Sequence, residues 1–203
     1  MLCAKRTCWM SKKYEKPLQM GVSLEHLVPI MVECFDQGRE VVLTVTGHSM
    51  SPFVRNRKDQ VVLTACDPTA LQPGDVPLFR RLNGKYVLHR IVERDDGVTC
   101  IRWGRDEALP SHCDSLRYTM LGDAQWHEEP DIAPDQIVAV ATAFICRGKR
   151  WECNSTAYIR NRMRWHRLLP LRPVLVHLYH MPRHLRYGLP YRLRRWLHLP
   201  PKE

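Results

Sequence analysis

The chain of 203 residues has no uninterrupted apolar stretch of about 18 residues. That excludes a membrane-spanning helix of ordinary length. Its first residues, Met1-Leu2-Cys3-Ala4-Lys5-Arg6, carry charge with no apolar run behind it. No secretory signal is expected, and the setting that follows is cytoplasmic and reducing. The eight cysteines contain no C-x-x-C pair, and their spacings are long and irregular, which is poor for zinc. Cys100 and Cys146 stand inside strand-like runs, where a free thiol behaves as a small hydrophobe. His112-Cys113 has no second ligand pair in range, so neither metal nor cofactor is expected. Acids are scarce in one region only. Fourteen of the 31 Lys and Arg, but just two of the 21 acids, lie after residue 146. The net charge is therefore −2 over 1–146 and +12 over 147–203. A nucleic-acid-binding body with charge on every face is excluded, and the electrostatic question belongs to the tail.

What is present divides the chain into three. Residues 1–22 are polar, basic and aperiodic, and are expected to be a flexible lead-in. From 23 to 150 a β-rich body is expected, beginning with one helix. Ser23 is its N-cap, and Leu24, Leu27, Val28, Met31, Val32 and Phe35 recur at helical spacing up to Gly38. Strands are expected at 41–45, 60–64, 118–121 and 137–145. Between them, 76–103 reads as a three-stranded meander, with Asn83-Gly84 and Asp95-Asp96-Gly97 as turns and 85–93 as one return strand. Residues 104–117 and 123–134 are expected to be loops. From 151 to 203 prolines chop a basic tail into short pieces with apolar helical stripes, Leu171, Val174, Leu175 and Leu178 in one, Leu189, Leu193, Trp196 and Leu197 in another.

The chemistry centres on Thr46-Gly47-His48-Ser49-Met50-Ser51-Pro52, a serine just after a strand and a glycine. A nucleophilic serine needs a well-held turn and a base to take its proton. Leu71-Gln72-Pro73-Gly74-Asp75-Val76 follows, then Tyr86-Val87-Leu88-His89-Arg90-Ile91-Val92, forty residues beyond the serine, then Leu121-Gly122-Asp123-Ala124. Neutral imidazole, with an ordinary pKa near 6.5, accepts a hydroxyl proton at neutral pH, and a carboxylate on its other nitrogen fixes the tautomer.

In this order, the blocks G-x-S-M-x-P, L-x-x-G-D-V, Y-V-L-H-R-I-V and G-D resemble the signal-peptidase and LexA-type superfamily of serine peptidases over about residues 41–148. The pair His89-Arg90 resembles the archaeal and endoplasmic-reticulum signal peptidases, which carry His where the bacterial enzymes carry Lys. The resemblance implies a mainly β, coiled-sheet peptidase fold. It implies Ser49 as nucleophile, His89 as general base, Asp123 as the orienting acid, and Met50 and Pro52 beside the substrate, a peptide or protein. Gly104-Arg105-Asp106-Glu107 resembles a degraded form of the last block, so Asp106 competes with Asp123. Gly47 stands where some signal peptidases have a hydroxyl that assists the oxyanion, which leaves a backbone N–H, that of Ser49, as donor. With no long apolar run, the chain is expected to depart from the signal peptidases in lacking an anchor helix. Its basic tail is expected to replace one by attaching to an anionic membrane surface. The alternatives are docking on the β body and, least favoured, nucleic-acid binding. Two rival functions stay open: a non-catalytic membrane-associated or regulatory binding module on the same fold, and LexA-like self-cleavage. The latter is disfavoured because no helix-turn-helix precedes the body.

Overall fold

The computed structural model describes residues 23–177. The expected lead-in and the second stripe of the tail lie outside the described residues, as does Leu178. The described chain is mainly β, with two antiparallel sheets, two α-helices and a further helical stretch over 172–177. Helix α1, Leu24–Asp36, begins after Ser23 and buries Met31 and Phe35. Removing two such side chains from water contributes about 1.5–3 kcal/mol each.

The first sheet contains β1 (Val41–Thr44), β2 (Gln60–Thr64), β3 (Pro77–Arg80), β4 (Tyr86–Leu88), β10 (Ile137–Cys146) and β11 (Lys149–Glu152). Its organiser is β10, whose burial alternates along Ile137, Ala139, Ala141 and Ala143 as one face enters the core. One edge of β10 pairs with β2. The other pairs with β3 at its start and β11 at its end. The second sheet runs β7 (Leu109–Pro110), β6 (Thr99–Arg102), β5 (Arg90–Asp95), β8 (Arg117–Leu121) and β9 (Glu129–Ile132).

Three expectations change. The return strand 85–93 is two strands in two different sheets. Leu88 pairs with Leu78 in the first sheet and Arg90 pairs with Leu121 in the second, with His89 at the switch. Both segments are apolar and alternating, so periodicity could not expose the break. The loop expected at 123–134 contains β9, and that at 104–117 contains the two-residue β7. Strand β11 runs across the domain boundary expected after residue 150.

The first part of the tail docks on the body. Ser155 caps α2 (Thr156–Arg167), with the Tyr158 N–H donating to its Oγ at 3.4 Å. The helix buries Tyr158 and Arg162, while Arg160, Arg164 and Arg167 face outward. Beyond it Arg172 is also buried. Over 155–177, therefore, docking on the β body is what is observed. No helix among the described residues is long and apolar enough to cross a membrane.

Candidate active site

Ser49 lies in the loop that leaves β1. Gly47 has φ +94°, a left-handed conformation that favours glycine. Its N–H donates to Asn56 Oδ1 at 3.1 Å, and Asn56 Nδ2 lies 3.2 Å from His48 Nε2. The Ser49 carbonyl accepts from the Ala124 N–H at 2.7 Å. This places the loop against the turn 122–125, where Gly122 admits no side chain: a Cβ there would stand 2.9 Å from the Ser49 carbonyl oxygen. Among the described residues that carbonyl contact is the only hydrogen bond of Ser49. Its hydroxyl and its N–H, the expected oxyanion donor, have no protein partner there, and no hydrogen bond joins Ser49 Oγ to His89.

His89 is 1% exposed. Its Nδ1 lies 3.0 Å from Glu129 Oε1, and its ring lies 6.2 Å from that of Phe79. The contact is one of distance: Nδ1 is buried and makes no hydrogen bond of good geometry with that oxygen. Glu129 is held in turn by Arg81, whose Nε donates to Oε2 at 2.6 Å and whose Nη2 pairs with Oε1. Partial burial alone would raise the Glu129 carboxyl, but the neighbouring His89 and Arg81 outweigh it and hold the pKa at about 2.

Asp123 stands elsewhere. It is 3% exposed and its carboxylate is gripped by Arg90, Nε to Oδ1 at 3.1 Å and Nη2 to Oδ2 at 3.0 Å. The same Nη2 donates to the Tyr158 hydroxyl, and Nη1 donates to the Gly74 carbonyl at 2.8 Å. Burial pushes the Asp123 carboxyl up, but Arg90, with Arg162 and Arg172, holds it below its ordinary value. The reason is geometric. Successive side chains of an extended chain point to opposite sides, so an acid placed for Arg90 is on the wrong side for His89. Where the sequence placed Asp123 beside His89, the structure places Glu129. Asp106, the other candidate, is exposed in the loop after β6. Met50, expected at the substrate, is 2% exposed and packs in the main core, where it anchors the loop from within. Pro52 is half-buried and lines a cavity beside α2.

Sequence reasoning misses Glu129 because β9 falls where a loop is expected. Its only signal was a carboxylate a few residues past Gly122-Asp123. Among the described residues two overlapping groups elsewhere have atoms close enough to hold a cation: Glu93, Cys100 and His112, and Asp95, His112 and Cys113. Their acids already have partners. Glu93 pairs with Arg102 at 2.6 Å, and Asp95 accepts from Ser111 Oγ at 2.5 Å and the His112 N–H at 3.0 Å. The thiols of Cys100 and Cys113 are both pushed up, chiefly by burial, which disfavours the metal-binding thiolate. Compared with models of protein families and with curated proteins, the chain matches none.

Proposed function

We propose that the chain is a serine endopeptidase of the signal-peptidase and LexA-like type, with Ser49 as nucleophile, His89 as general base and Glu129 as the acid that orients it. One observation carries this reading: the base of the sequence motif is a buried imidazole whose Nδ1 stands 3.0 Å from the carboxylate of Glu129. A serine with an uncommitted hydroxyl and N–H stands in the motif's nucleophile position. In the reaction Ser49 Oγ attacks the scissile carbonyl carbon while Nε2 takes the hydroxyl proton. Glu129 stabilises the imidazolium that forms, and the Ser49 N–H supplies a donor to the oxyanion. His89 then returns the proton to the leaving amine, and water hydrolyses the acyl-enzyme by the same route. The attack requires Ser49 Oγ to reach Nε2, a contact that tightens in many enzymes only when substrate binds.

A fluorophosphonate probe tests this on the intact chain. Labelling should map to Ser49, vanish in Ser49→Ala, and slow by about 10²–10⁴ in His89→Ala. Labelling that survives either substitution, or no labelling of a folded chain, would leave the rival non-catalytic module.

A further inference from the structure

Three buried arginines, Arg90, Arg162 and Arg172, surround one buried carboxylate, Asp123, which takes its two hydrogen bonds from Arg90. Arg172 Nη1 is directed to the carbonyls of Gln125 and Gly122, at 3.2 and 3.5 Å. Arg162 has neither. It is 8% exposed, its Nε has no hydrogen-bond partner, and no ion pair reaches it among the described residues. Its guanidinium lies over the rings of Phe53, at 3.5 Å, and Tyr158, at 4.6 Å. Aromatic faces offset part of the charge but accept none of the five N–H bonds in the way an oxygen does. Leaving Nε shut off from solvent without an acceptor is costly, and an anion placed on this guanidinium recovers part of that cost.

The space for an anion is present. Arg162 borders a cavity of about 570 Å³ whose rim carries Arg147, Lys149 and Arg164, with Phe53 and Trp151 among its aromatic walls. Among the described residues no carboxylate lines this cavity. The second cavity that Arg162 borders, about 450 Å³, is lined in part by Asp75 and Glu152. Pro52 and Phe53, on the wall of the acid-free cavity, follow Ser49 by three and four residues.

We infer that this cavity is a specificity pocket that takes an acidic side chain of the peptide bound at Ser49. The inference rests on the peptidase reading for its substrate, and on the Arg162 pocket for its charge preference. A flat anionic bilayer meets the exposed rim cations. A single side-chain carboxylate, by contrast, can enter between the aromatic walls to a guanidinium that is nine-tenths buried.

Binding is measured by fluorescence anisotropy on the full chain carrying Ser49→Ala, which cannot turn over. The probes are a capped, dye-labelled octapeptide with a central glutamate and its glutamine counterpart. The glutamate peptide should bind at least about tenfold more tightly, and 0.5 M salt should erase most of the difference. Arg162→Gln should abolish the discrimination. Because that substitution sits in a packed cluster, Lys149→Gln and Arg164→Gln on the exposed rim provide the folded control, and each should reduce discrimination severalfold. Equal affinity for the two peptides, or discrimination untouched in the rim double variant, overturns the pocket. So does binding of phosphatidylserine vesicles that is lost with the rim charges while neither peptide competes. Discrimination in a chain that fluorophosphonate never labels at Ser49 keeps the pocket and removes the peptidase reading. Labelling without discrimination does the reverse.

Discussion

Replacing Asp123 by asparagine separates the two roles that a buried acid in this region can have. If Asp123 oriented the catalytic base, Asp123→Asn would silence Ser49 and leave the fold intact. The geometry gives the opposite result. Asp123 is bound through two oxygens to Arg90, which is itself 1% exposed, and Arg162 and Arg172 add positive charge to the same cluster. Asparagine keeps the shape and removes the only carboxylate that those three guanidinium groups are shown to share. Breaking a buried pair by deleting one charge costs about 3–5 kcal/mol, because the partner stays buried and uncompensated. A domain of this size is stable by about 5–15 kcal/mol, so the loss is a large fraction of the total. With a urea slope of about 2 kcal/mol per molar, the unfolding midpoint should fall by roughly 1.5–2.5 M at constant slope. Tryptophan fluorescence follows the transition, since Trp103 and Trp165 border the cluster. A midpoint within about 0.3 M of the parent chain, with Ser49 labelling lost, would refute the argument and return Asp123 to the catalytic role.

The matching substitution, Glu129→Gln, should lower the urea midpoint at neutral pH by less than Asp123→Asn does, because Glu129 and Arg81 are both partly exposed, and should slow labelling of Ser49 by about 10²–10⁴, the size expected when a base loses its orienting acid. Labelling at the parent rate would remove Glu129 from the site. Glu129 also shapes the acid limb of stability. Its pKa falls from 4.5 to about 2 on folding, so its contribution is complete above pH 4.5 and is lost between there and about pH 2. Urea midpoints over this range should fall less steeply in Glu129→Gln, and an unchanged slope would contradict the assignment. His166 acts at higher pH. Burial first, then Arg172, Arg102 and Arg90, lower it from 6.5 to about 4. The unfolded chain binds the proton first, so stability falls as pH drops from 6.5 to about 4. His166→Gln should flatten that stretch of the profile, and an identical profile would count against it. Gly122→Ala forces a methyl toward the Ser49 carbonyl at 2.9 Å, where the obstacle is backbone. It should cost about 1–3 kcal/mol and impair labelling at temperatures where the fold persists. Parental labelling and stability would show that the turn yields. Because 155–177 packs on the body, the expected attachment of the tail to anionic vesicles is assigned to 178–203. A chain ending at His177 should keep its fold and lose flotation with such vesicles, and undiminished flotation would disprove that placement.

The sequence located the elements well where one periodicity ran uninterrupted. Helix α1 lies inside its expected span, 60–64 matches β2, and β10 extends the expected 137–145 by one residue. It failed where a strand changes sheets without changing pattern, at His89, because alternation reports a buried face and not which sheet supplies it. The motif blocks led to His89 and to the Ser49 loop beside Gly122. They misplaced the acid, because G-D marks the partner of Arg90 and the partner of His89 comes from β9, too short and polar to be read as a strand. The tail was legible in charge but not in fate. Arg162 looks like one more solvated cation in a basic run, and only packing reveals that it is buried.

The turn at 122–125 is a junction of four segments. Ala124 donates to the Ser49 carbonyl, the Asp123 carboxylate grips Arg90, the Asp123 carbonyl accepts Trp165 Nε1 at 2.6 Å, and Gln125 and Gly122 receive Arg172. The Ser49 loop and the tail are therefore fastened to the same few atoms. Were a ligand at Ser49 to shift this turn, linkage requires that it change the hold on α2 by the same factor by which α2 changes its affinity. A tail that first looked like an address label helps, through this turn, to hold up the loop of the serine.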